Sequence, residues 1–146
     1  MKSHITDIVL SIVLLGFIGY HLQQKPILRD DIPLQNENQE VFTPKDLSII
    51  HFWAPWSKPS VRQLHLFHRF TQTHPDIQLI AVHSQEESPK KIIDFKIENG
   101  WYFPFAQSNI LPNQLPQTII HINEQDLYLD GSIHYERLLE IFERDH

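Results

Sequence analysis

The chain contains no cysteine among its 146 residues. That absence excludes disulfide bonds, thiolate metal sites and thiol catalysis, and it removes cysteine usage as an indicator of the redox compartment. Glycine is scarce as well, with 4 residues beside 10 prolines, so the chain has no collagen-like or low-complexity character. The formal net charge of -6 lacks the basic surplus that binding to a phosphate backbone needs, so nucleic acid is not an expected partner.

An uncharged apolar run occupies residues 8–20 and extends to 5–22 if a few polar residues are tolerated at its ends. A full bilayer span takes about 20 residues and a signal-peptide core about 7–15, so length leaves both interpretations open. No small-x-small cleavage site follows the run, which favours an uncleaved signal anchor, a transmembrane helix at residues 1–22. The basic residues on the two sides are too evenly balanced to predict its orientation.

The remainder is long enough for one domain with one hydrophobic core. Residues 23–40 are polar and contain two prolines, which predicts a tether with a short strand near residues 32–34, and the globular domain is expected at 41–146. Hydrophobic periodicity predicts the order β-α-β-α-β-β-α and a four-stranded sheet with helices on both faces. The predicted elements are strands at Leu47–Phe52, 77–83, 118–123 and 127–130, with helices at 61–73, at 90–99 and after an N-cap at Ser132.

An aromatic, proline-containing turn joins the first predicted strand to the first predicted helix. Trp53 is expected in the core, and Trp56 at the turn is expected to be an exposed platform for a bound segment. Ser57 is expected to cap the helix through its side chain, and Ser60 to hydrogen-bond a local backbone group. Serine catalysis is disfavoured because no nucleophile-elbow or Ser-x-x-Lys motif surrounds Ser57.

This element order resembles the thioredoxin superfamily, through Phe-Trp-Ala-Pro-Trp at 52–56, Ile-Ala-Val-His-Ser at 80–84, Gly-Trp-Tyr-Phe-Pro at 100–104 and Leu-Pro-Gln-Thr at 115–118. With an anchor ahead of the domain, the chain is most similar to the membrane-anchored TlpA/DsbE-like branch, which includes ScsD-like disulfide oxidoreductases named after suppression of copper sensitivity. The resemblance implies a thioredoxin fold, an α/β domain with a central mixed sheet. It also implies a location at the cell (inner) membrane, with the domain facing the periplasm.

The departures from that family concern its chemistry. By the resemblance, Ser57 and Ser60 stand at the two redox-cysteine positions, Gln63 stands where the family often has Glu, and His65 where it often has Pro. Thiol-disulfide exchange needs a thiolate, and an alcohol cannot replace it. The expected domain is therefore redox-inactive.

The resemblance also implies a binding groove. Pro116 is similar to the family's cis-proline, which leaves the backbone of the preceding residue available to an extended polypeptide. Trp56, Ser57, Leu115 and Pro116 would then bound a shallow groove for β-type peptide addition. The expected function is a non-catalytic polypeptide-binding or assembly module of the cell envelope, without a cofactor. The alternative is a degenerate member of a thiol-disulfide oxidoreductase system.

Histidine is frequent, with 10 residues. His65 and His68 stand three residues apart on the first predicted helix and are weak candidate ligands for copper or zinc if a third ligand approached. The histidines, including His51 and His121 in predicted strands, are instead expected to be solvated or to form a single hydrogen bond each. The acidic pair at 86–87 is expected to be solvated surface.

Overall fold

The computed structural model describes residues 34–36, 38, 40–41 and 43–144. The predicted anchor at residues 1–22 lies outside the described residues, as does most of the predicted tether. No helix within the described part has the length and apolar character to cross a bilayer. The elements are β1 (Leu47–Phe52), α1 (Lys58–Thr73), β2 (Gln78–Ser84), α2 (Pro89–Asn99), β3 (Phe105–Ser108), β4 (Gln117–Ile122), β5 (Gln125–Asp130) and α3 (Tyr135–Glu143).

The five strands form one mixed sheet in the order β3-β2-β1-β4-β5. β1 pairs in parallel with β2, and β2 with β3, while β4 runs antiparallel to both β1 and β5. The prediction of four strands was wrong because it omitted β3. That strand has four residues, follows Pro104 and shows no alternation of polar and apolar residues, so nothing in its local pattern distinguishes it from a loop.

Local backbone chemistry explains where the elements begin and end. The β4–β5 hairpin turns on two residues with positive φ, Asn123 at 46° and Glu124 at 69°, as a type I′ turn requires. Gly100 ends α2 in the left-handed conformation, with φ 64°. The expected cap of the last helix at Ser132 was wrong, because α3 begins at Tyr135 and His134 occupies the N-cap position.

Strand alternation divides the core between the two faces of the sheet. Ile49 of β1 packs with Phe67 and Phe70 of α1 and with Leu138 of α3, while Ala81 of β2, on the same face, packs with Ile92 of α2. The opposite face carries β-strand residues covered by Leu34, Leu111 and Leu115, and no helical residue belongs to that cluster within the described chain. The three described helices thus contribute their buried residues to one face, contrary to the expectation of helices on both.

The residues just before the predicted domain boundary contact the sheet. Leu34 is buried in the helix-free cluster. Gln35 forms an antiparallel bridge with Gln107 of β3, whose N–H donates to the carbonyl of Gln35 at 2.8 Å. Since β3 is an edge strand, this bridge covers backbone groups that would otherwise face solvent.

One buried amide side chain fastens α1 to the loop before α3. Gln63 donates from Nε2 to the carbonyl of Ile133 at 3.0 Å and accepts from the N–H of Ile133 at 2.8 Å.

Substituting Gln63→Ala leaves both backbone groups unpaired, so we expect a loss of about 1–3 kcal/mol in the free energy of unfolding. Urea denaturation of the full chain in mild detergent measures it. Gln72→Ala, at an exposed position on the same helix, is the matched control and should change stability by less than about 0.5 kcal/mol; equal losses in the two variants would contradict the assignment.

Candidate functional site

Three chain segments meet at one edge of the sheet. Phe52, the last residue of β1, is level with Val82 near the end of β2 and with Gln117 at the start of β4. The turn after β1, the loop after β2 and the segment before β4 therefore emerge side by side. The sequence-predicted residues Trp56, Ser57, Leu115 and Pro116 lie in the first and last of these segments.

Ser57 holds the N-cap position of α1 without forming the predicted side-chain cap. Its backbone is extended, with φ -92° and ψ 90°, and its hydroxyl makes no capping hydrogen bond. The backbone supplies the contacts: the N–H of Ser57 donates to the carbonyl of Ala54 at 3.0 Å, and its carbonyl accepts from the N–H of Val61 at 3.1 Å. The prediction that this hydroxyl caps the helix was therefore wrong. The residue is 6% exposed.

Ser60 takes the role of tying the turn together, as expected from sequence. It is fully buried, and its hydroxyl donates to the carbonyl of Ser57 at 2.8 Å. The same oxygen accepts from the N–H of Ala54 at 3.3 Å. The hydroxyl thus satisfies backbone groups on both sides of the turn that carries Trp56.

A buried histidine lies directly below this turn. His51 of β1 contacts the carbonyl of Ser60 through Nε2 at 3.0 Å and Oγ1 of Thr118 through Nδ1 at 2.9 Å. A carbonyl can only accept, so Nε2 carries the proton and the hydroxyl of Thr118 donates to Nδ1. Burial lowers the pKa of His51 from 6.5 to about 4, and the hydrogen bond to Ser60 offsets part of that effect. The expectation of singly bonded histidines was wrong here, because both ring nitrogens have partners inside the core.

The two tryptophans of the turn have the exposures expected from sequence. Trp53 is fully buried and contacts Trp101 and Phe105 edge-on, with ring centroids 5.8 and 5.9 Å apart. Trp56 is 69% exposed, and Trp101 is buried, so Trp56 is the only solvent-exposed tryptophan of the three in the chain. A large apolar ring held in solvent by a rigid turn is available for contact with another molecule.

In the segment before β4, Leu115 has a backbone without hydrogen-bond partners among the described residues. The Leu115–Pro116 peptide bond is cis. Pro116 is buried, and its carbonyl accepts from the N–H of Gly131 at 3.0 Å. In contrast, no residue of the described chain hydrogen-bonds the N–H or the carbonyl of Leu115. Neither group is therefore committed to a partner within the described chain, which is a requirement for pairing with an added strand.

A surface depression with a volume of about 460 Å³ lies beside Trp56. Sequence reasoning placed only Trp56 of the lining residues in a binding site, and it interpreted the acidic pair at 86–87 as ordinary surface. Trp56 belongs to both the depression and the predicted groove, and Leu111 of the depression packs on the same core cluster as Leu115. The lining residues are Trp56, Ser84, Glu86, Glu87, Asn109 and Leu111.

The candidate metal ligands on α1 are engaged with aromatic rings. His65 packs on Trp101 with ring centroids 5.0 Å apart, and His68 packs on Phe103 at 5.2 Å. Partial burial lowers the pKa of His68, and the neighbouring His65 lowers it further. The described residues contain no group of three His, Asp or Glu side chains placed to hold a metal ion.

Comparison with known proteins finds one relevant sequence relative. No protein-family model matches the chain. Sporulation thiol-disulfide oxidoreductase A of Bacillus subtilis is 30% identical over 86 residues, which cover 56% of this chain and 48% of that protein. The match therefore spans about half the length of this curated relative.

Solved structures agree on the fold. The crystal structure of StoA from Bacillus subtilis superposes with a TM-score of 0.60 at 20% identity, covering 79% of this chain and 98% of that one. A putative thioredoxin from Neisseria meningitidis gives 0.64 at 12% identity, covering 77% and 85%. A thio-disulfide isomerase from Thermus thermophilus gives 0.62 at 15% identity, covering 80% and 92%. The chain has a thioredoxin-like fold, and over about half of its length it is similar in sequence to a thiol-disulfide oxidoreductase.

The two serines of the turn should differ in their contribution to stability. Ser60→Ala removes the acceptor of the Ala54 N–H and should lower the free energy of unfolding by about 1–2 kcal/mol. Ser57→Ala removes a hydroxyl without a capping bond and should change it by less than about 0.5 kcal/mol. Denaturation of the two variants beside the wild-type chain measures this, and a larger loss for Ser57→Ala would overturn the geometry described for the turn.

The buried histidine should make the domain sensitive to acid. The pKa of His51 is lower in the folded than in the unfolded chain, so the unfolded chain binds the proton first as the pH falls. Stability should decline between about pH 6.5 and pH 4, by about 3 kcal/mol from this group alone. The decline should be smaller in His51→Gln, which cannot titrate. NMR of the imidazole in the folded chain provides the direct measurement, and protonation near pH 6.5 would contradict the prediction.

Proposed function

We propose that this chain is a redox-inactive, membrane-anchored member of the TlpA/DsbE-like, ScsD-like group, whose domain faces the periplasm and binds extended polypeptide beside Trp56. The observation that carries this proposal is an exposed tryptophan near a residue whose backbone has no hydrogen-bond partner among the described residues. Trp56 offers apolar area, and Leu115 offers one donor and one acceptor. These are the two components of recognition by strand addition.

The absence of cysteine removes the chemistry of the homologues. Thiol-disulfide exchange proceeds through a mixed disulfide, which this chain cannot form. Serine chemistry has no support either, because the hydroxyl of Ser60 is bonded to backbone and His51 contacts the carbonyl of Ser60, not its hydroxyl. A site with the scaffold of an oxidoreductase and no nucleophile retains only its capacity to bind.

Membrane placement rests on the apolar run at residues 8–20 and on the resemblance to anchored, periplasm-facing relatives. A domain tethered in this way would act on polypeptides of the cell envelope. The thiol-disulfide oxidoreductase relative suggests a second role, in which this chain is a degenerate member of such a system. It would hold a polypeptide while a separate, thiol-bearing protein acts on that polypeptide. Both roles require the same groove.

Binding should depend on Trp56. The full chain in phosphatidylcholine nanodiscs, applied to an array of short random peptides, should bind a subset of them, and Trp56→Ala should weaken that binding about tenfold or more, as loss of a central aromatic anchor does. Tyr102→Ala is the matched control, since Tyr102 is 93% exposed and precedes β3, outside the groove. Bound peptide should also change the fluorescence of the wild-type chain and not that of Trp56→Phe. Absence of binding, or equal loss in Trp56→Ala and Tyr102→Ala, would refute the groove.

A further inference from the structure

The depression beside Trp56 adjoins a second hollow across the loop between β2 and α2. The second hollow has a volume of about 170 Å³, and its apolar walls include Ile92, Ile93 and Phe105. Glu87 lines both. The side chain of Glu87 therefore lies between the depression beside Trp56, whose apolar walls are Trp56 and Leu111, and a second hollow formed mainly by α2 and β3.

The local charge is negative. Glu86 and Glu87 both line the larger depression. The Nζ of Lys91 lies 4.0 Å from a carboxylate oxygen of Glu87, at the limit of an ion pair. Lys90 is held by Asp94 at 2.6 Å, and Lys58 at the start of α1 lines neither hollow.

We propose that the groove selects extended segments in which an arginine is flanked by apolar residues. This inference rests on the proposed function and specifies its ligand. The flanking side chains would occupy the hollows on either side of Glu87, and the guanidinium would meet Glu86 and Glu87. The exposed ring of Trp56 adds a stacking surface, because guanidinium groups pack favourably on tryptophan faces.

Arginine suits this surface better than lysine does. Its planar guanidinium can bind a carboxylate through two parallel hydrogen bonds and can lie flat on an aromatic ring, whereas an ammonium group is a point charge with a stronger hydration shell. The aliphatic part of the arginine side chain can also cover apolar surface on its way to the carboxylates. An acidic segment would be repelled by the same pair.

The test compares peptides that differ only in charge. The probes are fluorescein-labelled Gly-Ser-Leu-Arg-Leu-Ser-Gly and the same peptide with citrulline or glutamate at its centre, because citrulline keeps the shape of arginine without its charge. With the full chain in phosphatidylcholine nanodiscs at low salt, the arginine peptide should bind about three- to tenfold more tightly than the citrulline peptide. The glutamate peptide should bind most weakly, and the differences should shrink as salt is added.

Variants assign the preference to the acidic pair. The double variant Glu86→Gln with Glu87→Gln should bind the arginine and citrulline peptides equally. Glu124→Gln should keep the preference, because Glu124 lies in the turn after β4, at the opposite end of that strand from Gln117.

Equal binding of both peptides to the wild-type chain, while the citrulline peptide still requires Trp56, would overturn this inference and leave the proposed function intact. No binding of any peptide here or on the array would overturn both, and a preference that survives the double variant would overturn the role of Glu86 and Glu87.

Discussion

The hydrogen bonds of one buried imidazole join the chain segments at the edge of the sheet where peptide binding is proposed. His51 joins the carbonyl of Ser60, in the first turn of α1, to the hydroxyl of Thr118, two residues beyond Pro116. The bridge satisfies polar groups that would be costly to bury unpaired, and burial keeps the ring neutral at neutral pH, so that Nδ1 accepts from the hydroxyl of Thr118. The turn that carries Trp56 and the segment that carries Leu115 are thereby fixed relative to each other without a thiol.

Most of the fold could be predicted because it depends on local pattern. The boundaries of β1, the end of α2 at Gly100 and the order of helices and strands follow from hydrophobic periodicity and from the conformational freedom of glycine. The failures have a different origin. β3 becomes a strand because its neighbours β2 and Gln35 pair with it, and α3 begins at Tyr135 although Ser132 is the better capping residue. Tertiary contacts decide such cases, and sequence pattern does not record them.

The site was predictable in its position and only partly in its contacts. The exposure of Trp56 and the backbone role of Ser60 follow from the turn itself. The double hydrogen bonding of His51 depends on Thr118, which is 67 residues away in sequence, so no local signal announces it. The same holds for Leu111 and the acidic pair at 86–87, which reach the depression from different loops. The acidic pair can be interpreted as part of a binding site only once the fold shows that it lies beside the depression.

The central claim is that this edge of the sheet binds extended polypeptide through the ring of Trp56 and the backbone of Leu115. NMR spectra of the nitrogen-15-labelled full chain in phosphatidylcholine nanodiscs, recorded while the arginine-centred peptide is added, test it most directly. The account predicts that the indole N–H signal of Trp56 and the amide signal of Leu115 shift together and saturate, while the buried indoles of Trp53 and Trp101 stay in place. Saturable shifts centred elsewhere, for example on α3, with Trp56 and Leu115 unmoved, would contradict it.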